Sequence, residues 1–208
     1  MKKIFAITLG LSLFLCNQVS AQNLEKERGI SISAMFGLTQ KHYLHGTSFG
    51  IEKDKYTGPI ITPRVGYRFN KKWEAGVLFR YEKSGKHDNY YGIGGYGELN
   101  YLRFNNGIKL FVDMQAIYSI QSGGYDYYPN SPGIYSGNDD DMTEIGFVPG
   151  VAYNIPNTPV DLRLRYLFIG FNNSEKDYKS DVKGCLGRGD FILDGALRRL
   201  EIGPSVTF

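Results

Sequence analysis

Apolar and polar side chains alternate with a period of two along much of this chain. Ile30, Ile32, Ala34, Phe36 and Leu38 interleave with Ser31, Ser33, Met35, Gly37 and Thr39. Trp73, Ala75, Val77, Phe79 and Tyr81 interleave with Glu74, Gly76, Leu78, Arg80 and Glu82. Ile108, Leu110, Val112, Met114, Ala116 and Tyr118 interleave with Lys109, Phe111, Asp113, Gln115, Ile117 and Ser119. Val160, Leu162, Leu164, Tyr166 and Phe168 face away from Asp161, Arg163 and Arg165. Such alternation marks strands with two unlike faces. Four further strands are predicted near 59–69, 91–103, 143–155 and 195–208, for about eight in all.

The connections alternate in length. Long ones cover about 40–57, 83–90, 121–142 and 172–194; short ones are Asn70-Lys71-Lys72, Asn105-Asn106-Gly107 and Pro156-Asn157-Thr158. Short turns on one side and long loops on the other is the arrangement of outer-membrane β-barrels, and an even strand count puts both termini on the short-turn, periplasmic side. The strands entering short turns, and the last strand, share a pattern: Pro63-Arg64-Val65-Gly66-Tyr67, Gly97-Glu98-Leu99-Asn100-Tyr101, Pro149-Gly150-Val151-Ala152-Tyr153 and Pro204-Ser205-Val206-Thr207-Phe208. An aromatic thus recurs at one level, joined by Trp73, where rings suit a lipid–water boundary. The alternative is a hairpin repeat in a soluble protein.

Alternation alone does not say which face is wet. In a membrane barrel the polar face lines the interior. That face would carry Arg64, Arg68, Glu74, Arg80, Glu82, Glu98, Lys109, Asp113, Glu144, Asp161, Arg163, Arg165, Arg199 and Glu201. In a narrow barrel these charges converge and must pair, because unpaired buried charge is costly. In a periplasmic sandwich the same face would be solvated. Pro63, Pro149 and Pro204 fall inside strands, where each removes a ladder hydrogen bond, and are expected at bulges. Arg198 stands next to Arg199 and so points outward, reaching the outer interface to snorkel.

Composition narrows the class. Lys2 and Lys3, an apolar stretch from Ile4 to Leu15 and Val19-Ser20-Ala21 read as a cleaved signal peptide over residues 1–21. An uncleaved anchor is the alternative, but the apolar run is short for a bilayer. Residues 22–208 then form one domain. Without Lys2 and Lys3 there are 22 basic against 21 acidic residues, which leaves no nucleic-acid footprint. Cys185 is the one cysteine beyond the leader, so neither an internal disulfide nor a multi-cysteine zinc site is available.

On these features the chain resembles the small outer-membrane β-barrel family that includes OmpX and the membrane domain of OmpA, in the form common in Bacteroidetes. The resemblance covers essentially all of 22–208. Its terminal series Leu200, Ile202, Pro204, Val206, Phe208 is similar to the C-terminal signal read by the barrel assembly machinery, with Tyr67, Tyr101 and Tyr153 at equivalent levels. The resemblance implies outer-membrane lipid and lipopolysaccharide as surroundings. Since the sequence ends at Phe208, no peptidoglycan-binding domain is expected.

Chemistry is sparse. His42, His45 and His87 fall in expected outer loops. Ser48 and Ser84 are near in sequence, but no His-x-Ser element lies near a strand end, as a nucleophile activated by a base would require. His42 and His45 lack further metal ligands. Asp139-Asp140-Asp141 lacks EF-hand spacing, and Gly92 to Gly97 lacks the strand–helix context of a phosphate loop. Tyr125, Tyr127, Tyr128 and Tyr135 serve either recognition or packing on the rim. The expectation is a non-enzymatic envelope barrel without cofactor or metal, displaying outer loops. A small channel comes second and a lipid-modifying barrel enzyme third.

Overall fold

In the computed structural model the described residues are 28–47, 50–83, 89–105, 107–122, 142–173, 185–186, 191–196 and 199–208. The expected leader, the sequences 84–88, 123–141 and 174–184, and Arg198 lie outside them. So do the expected roles of His87, Ser48, Ser84, the Asp139 cluster and the loop tyrosines.

The strands are β1 (Gly29–Thr47), β2 (Gly50–Arg68), β3 (Trp73–Lys83), β4 (Asn89–Arg103), β5 (Ile108–Ser122), β6 (Met142–Asn154), β7 (Val160–Arg165), β8 (Phe168–Asn172), β9 (Cys185–Leu186), β10 (Phe191–Asp194) and β11 (Glu201–Thr207). Each of β1 to β6 pairs antiparallel with the next. Strand β6 pairs with both β7 and β8, and β11 pairs with β7 and with β1, which closes the ring. Taking β7 with β8, and β10 with β11, as single staves, the fold is an eight-stranded, closed, antiparallel transmembrane β-barrel.

The side chains are distributed inside out relative to a soluble barrel. Val77 and Ile93 are 62 % and 67 % exposed, whereas Arg64 and Glu98 are 1 % and 0 % exposed. Water would penalise such an apolar outer wall; a bilayer core is the solvent that suits it. Tyr67, Trp73, Tyr101 and Tyr153 are exposed at the short-turn end.

Several boundaries differ from the sequence reading. The expected loop at 40–57 is instead a continuation of β1 and β2, paired up to Thr47 and Gly50. The expected strand at 195–208 starts only at Glu201; the upper part of that stave is β10, inside the expected loop 172–194. Phe168 is buried rather than outward. The cause lies at Leu167, which has a left-handed backbone with φ 75°. Arg165 pairs with Gly150 and Ile169 with Phe147, so this stave holds one extra residue opposite β6. That is a bulge, and it reverses which residues point inward above it. Pro149 lies beside it and accepts the Tyr166 N–H at 3.1 Å.

The other two prolines do not mark bulges. The β2–β3 ladder is interrupted at Thr62 and Pro63, and the β1–β11 ladder at Gly203 and Pro204, with equal residue counts on both strands. Each proline gives up one bond on one side and keeps register.

Candidate functional site

The inward face of this small ring gathers a dense set of charged side chains. Every residue read as inward from the sequence is buried: Arg64, Arg68, Glu74, Arg80, Glu82, Glu98, Lys109, Asp113, Glu144, Asp161, Arg163, Arg165, Arg199 and Glu201. Asp194 joins them. Among the described residues, that makes seven cations and eight carboxylates in one interior.

At the short-turn end, Lys109 Nζ donates to both carboxylate oxygens of Asp161 at 3.0 Å. Arg68 lies 3.3 Å from Glu74 and 3.6 Å from Asp161. Asn154 Nδ2 donates to Asp161 at 3.0 Å and Asn100 Nδ2 to Glu98 at 3.0 Å. These pairs are held by β2, β3, β4, β5, β6 and β7 where they approach the turns.

At mid-height the pairs reach across the ring. Arg64 on β2 donates through both Nη atoms to the two oxygens of Asp113 on β5, at 2.9 and 3.0 Å. Arg165 on β7 donates to Asp113 at 3.0 Å and to Glu201 at 2.8 Å. Arg163 donates to Glu98 on β4 and lies 3.7 Å from Glu74. Such forked, charge-assisted bonds fix both partners in orientation as well as distance. Aromatic rings support the cations: the Arg64 guanidinium lies 3.7 Å from the Tyr96 ring centre and that of Arg163 5.4 Å from Phe111. Tyr96 Oη donates to Glu74 at 2.8 Å.

Towards the long-loop end, Arg80 donates to Glu144 at 3.2 Å and to Glu82 at 3.4 Å. Glu144 also accepts from Arg199 and from Asn172 Nδ2, the latter at 2.9 Å. Arg199 Nε donates to Asp194 at 2.7 Å, and its guanidinium stacks 4.6 Å from the Phe168 ring.

Apolar side chains share the interior. Leu78, Tyr96 and Ile117 form one buried cluster; Val148, Phe168 and Ile192 form another. Asp194, Tyr96, Phe168 and Asn172 are the partners that sequence reasoning missed. Asp194 was hidden because β10 is four residues long and separated from β11. A carboxylate two residues after the buried Ile192 was the available signal.

His42 and His45 lie on β1 rather than in a loop. No group of three or more His, Cys, Asp or Glu side chains among the described residues is arranged to hold a metal ion. The terminal series alternates outward at Leu200, Ile202 and Pro204, and the Phe208 N–H donates to Ile30 O at 2.8 Å.

No family model matches the sequence, and no curated protein matches it. Among solved structures the chain is similar to the crystal structure of Neisserial surface protein A, with 19 % identity and a TM-score of 0.53 over 88 % of this chain and 100 % of that one. The likeness is one of fold.

Proposed function

We propose that this chain is a non-enzymatic outer-membrane barrel whose lumen is closed by its own charged side chains, serving as an envelope scaffold that displays its long connections at the cell surface. One observation carries this reading: Arg64 meets Asp113 and Arg163 meets Glu98 across the ring, each pair joining strands three staves apart. An eight-stranded barrel is just wide enough for side chains to fill. Buried pairs are tolerated when both partners are satisfied and oriented, which describes a packed interior better than a waterway. The outer-membrane location is supported by the leader sequence and by the fold shared with a protein named for the cell surface.

The finer parts of the reading follow. Residues 1–21 are removed on export, and 22–208 form the barrel. The kinship is with OmpX and the OmpA membrane domain in their Bacteroidetes form. Outer-membrane lipid and lipopolysaccharide surround the wall; nucleic acid is no partner. The assembly machinery reads Leu200, Ile202, Val206 and Phe208, with Tyr67, Tyr101 and Tyr153 completing the aromatic level. The deciding experiment is reconstitution of purified protein in planar bilayers, where little steady conductance is expected. Reproducible, sizeable, ion-selective channels would overturn the closed lumen in favour of a diffusion channel. Fractionation with the outer membrane and heat-dependent gel mobility test location and barrel together; recovery as a soluble periplasmic protein refutes both.

A further inference from the structure

The lipid-facing wall is not uniformly convex. At the short-turn end of β2, β3 and β4 it sinks into a groove of about 490 Å³, within the size range of small-molecule sites. Its floor is Ala75 and Gly97, which pair with each other, and Gly97 pairs in turn with Met114. Phe69, Trp73 and Met114 make the walls, and Asn70 sits at the mouth. Tyr67 stands on the same rung as Ala75 and packs edge-on against Phe69, the ring centres 5.3 Å apart. Glu74 also lines the groove, but its carboxylate is held in the barrel interior by Arg68 and Tyr96, so the groove is mainly apolar and ends at the level of the turn.

That turn is basic. Lys71 and Lys72 are exposed on it. The Arg103 guanidinium reaches over from β4 to donate to Lys71 O, while Lys72 O accepts the Asn100 N–H at 2.8 Å. Asn70 Oδ1 accepts the Lys72 and Trp73 N–H groups at 2.8 and 2.9 Å, fixing the turn. Three basic residues thus belong to, or reach onto, the turn at which the groove ends. The short-turn sequences 69–72, 104–107 and 155–159 contain no Asp or Glu. Clustered Lys and Arg beside a spanning segment attract anionic headgroups, and an aromatic wall at the interface suits the glycerol region.

We propose that this groove binds one anionic glycerophospholipid of the short-turn leaflet. An acyl chain lies over Ala75 and Gly97 against Trp73, and the phosphate is held by Lys71, Lys72 and Arg103. The site rests on the membrane placement of the barrel and is independent of whether the lumen conducts.

Trp73 is the one tryptophan of the whole chain, so its fluorescence reports on the groove wall alone. The protein is reconstituted in phosphatidylcholine vesicles that contain either phosphatidylglycerol or phosphatidylcholine brominated near the glycerol end of the acyl chains. Brominated phosphatidylglycerol is expected to quench Trp73 with a preference of roughly fivefold, the worth of one basic side chain at an anionic surface. Lys71→Ala with Lys72→Ala removes the preference. Gly97→Val removes it too, although both lysines remain. A Cβ at Gly97 meets only the Met114 methyl, at 3.5 Å, an ordinary contact; heat-dependent gel mobility checks that the valine variant folds. Equal quenching by the two lipids overturns the site. A preference that survives Gly97→Val is diffuse attraction to the rim and also overturns it. Quenching by neither lipid overturns the membrane placement together with the site.

Discussion

Arg64 and Asp113, on β2 and β5, meet across the barrel interior through two parallel hydrogen bonds of 2.9 and 3.0 Å. Asp113 takes a third bond from Arg165, so one carboxylate balances two guanidinium groups. Replacing Asp113 by Ala takes both short hydrogen bonds from Arg64, leaving it with Glu98 at 3.7 Å, and one from Arg165; it is expected to cost about 3–5 kcal/mol, as for other broken buried pairs. The double change Arg64→Met with Asp113→Leu removes the pair as a unit and leaves Arg165 on Glu201. It is expected to cost less than Asp113→Ala alone. Equilibrium urea unfolding in lipid vesicles gives the ranking, and the reverse order would mean that the pair is not desolvated.

The two faces of the wall should respond differently to truncation. Arg163→Ala removes the nearest cation of Glu98 and a neighbour of Glu74, with an expected loss of about 3 kcal/mol. Val77→Ala, on the lipid side, is expected to lose under about 1 kcal/mol, because lipid does not drive burial as water does. The same unfolding assay compares them; a larger effect at Val77 would invert the assignment of faces.

Gly66 and Gly76 pair opposite each other on β2 and β3, and the Tyr96 ring occupies the space beside them. A Cβ on Gly66 would lie 2.3 Å from Tyr96 Oη. Gly66→Ala therefore displaces the hydroxyl from Glu74 and the ring from Arg64, at a cost of about 1–3 kcal/mol for overpacking. Tyr96→Phe alone should cost about 1 kcal/mol for the lost hydrogen bond. Added to Gly66→Ala, it should cost almost nothing further, since both changes break one contact. Full additivity of the two losses speaks against this coupling.

Deleting Phe208 removes the terminal aromatic and the N–H that bonds Ile30 O. Slower assembly and greater sensitivity to periplasmic proteases are the expected results. They are read by pulse-chase labelling and surface protease accessibility. Normal surface levels at normal rates would refute a role in assembly.

The lower barrel was legible because a single property, polarity, tracks which way each residue points. In β5, Lys109, Asp113 and Gln115 are buried while Met114, Tyr118 and Ile120 are exposed. Inward apolar residues such as Leu78, Phe111 and Ile117 carry no such mark, so the rings that hold Arg64 and Arg163 went unnoticed. The upper part of β1 and β2 was hidden for another reason. Residues 40–57 mix Lys41, His42, Lys53 and Asp54 with few apolar positions, so the period-two alternation that marks the other strands is missing there. The bulge at Leu167 was invisible because no Gly, Asn or Pro occupies it; a leucine at φ 75° gives no local signal.

That leucine has a consequence for how the wall tolerates insertions and deletions. Below it, the odd-numbered residues Asp161, Arg163 and Arg165 are buried; above it, the even-numbered Phe168, Gly170 and Asn172 are. Deleting Leu167 removes the extra residue and leaves Arg165, Phe168, Gly170 and Asn172 in one unbroken alternation, so the inward set is kept. Straightening the stave with Leu167 still in place would instead turn Phe168 and Asn172 to lipid and Ile169 and Phe171 inward, and Glu144 would lose the Asn172 bond. The wall thus tolerates the loss of this leucine better than the loss of its bulge.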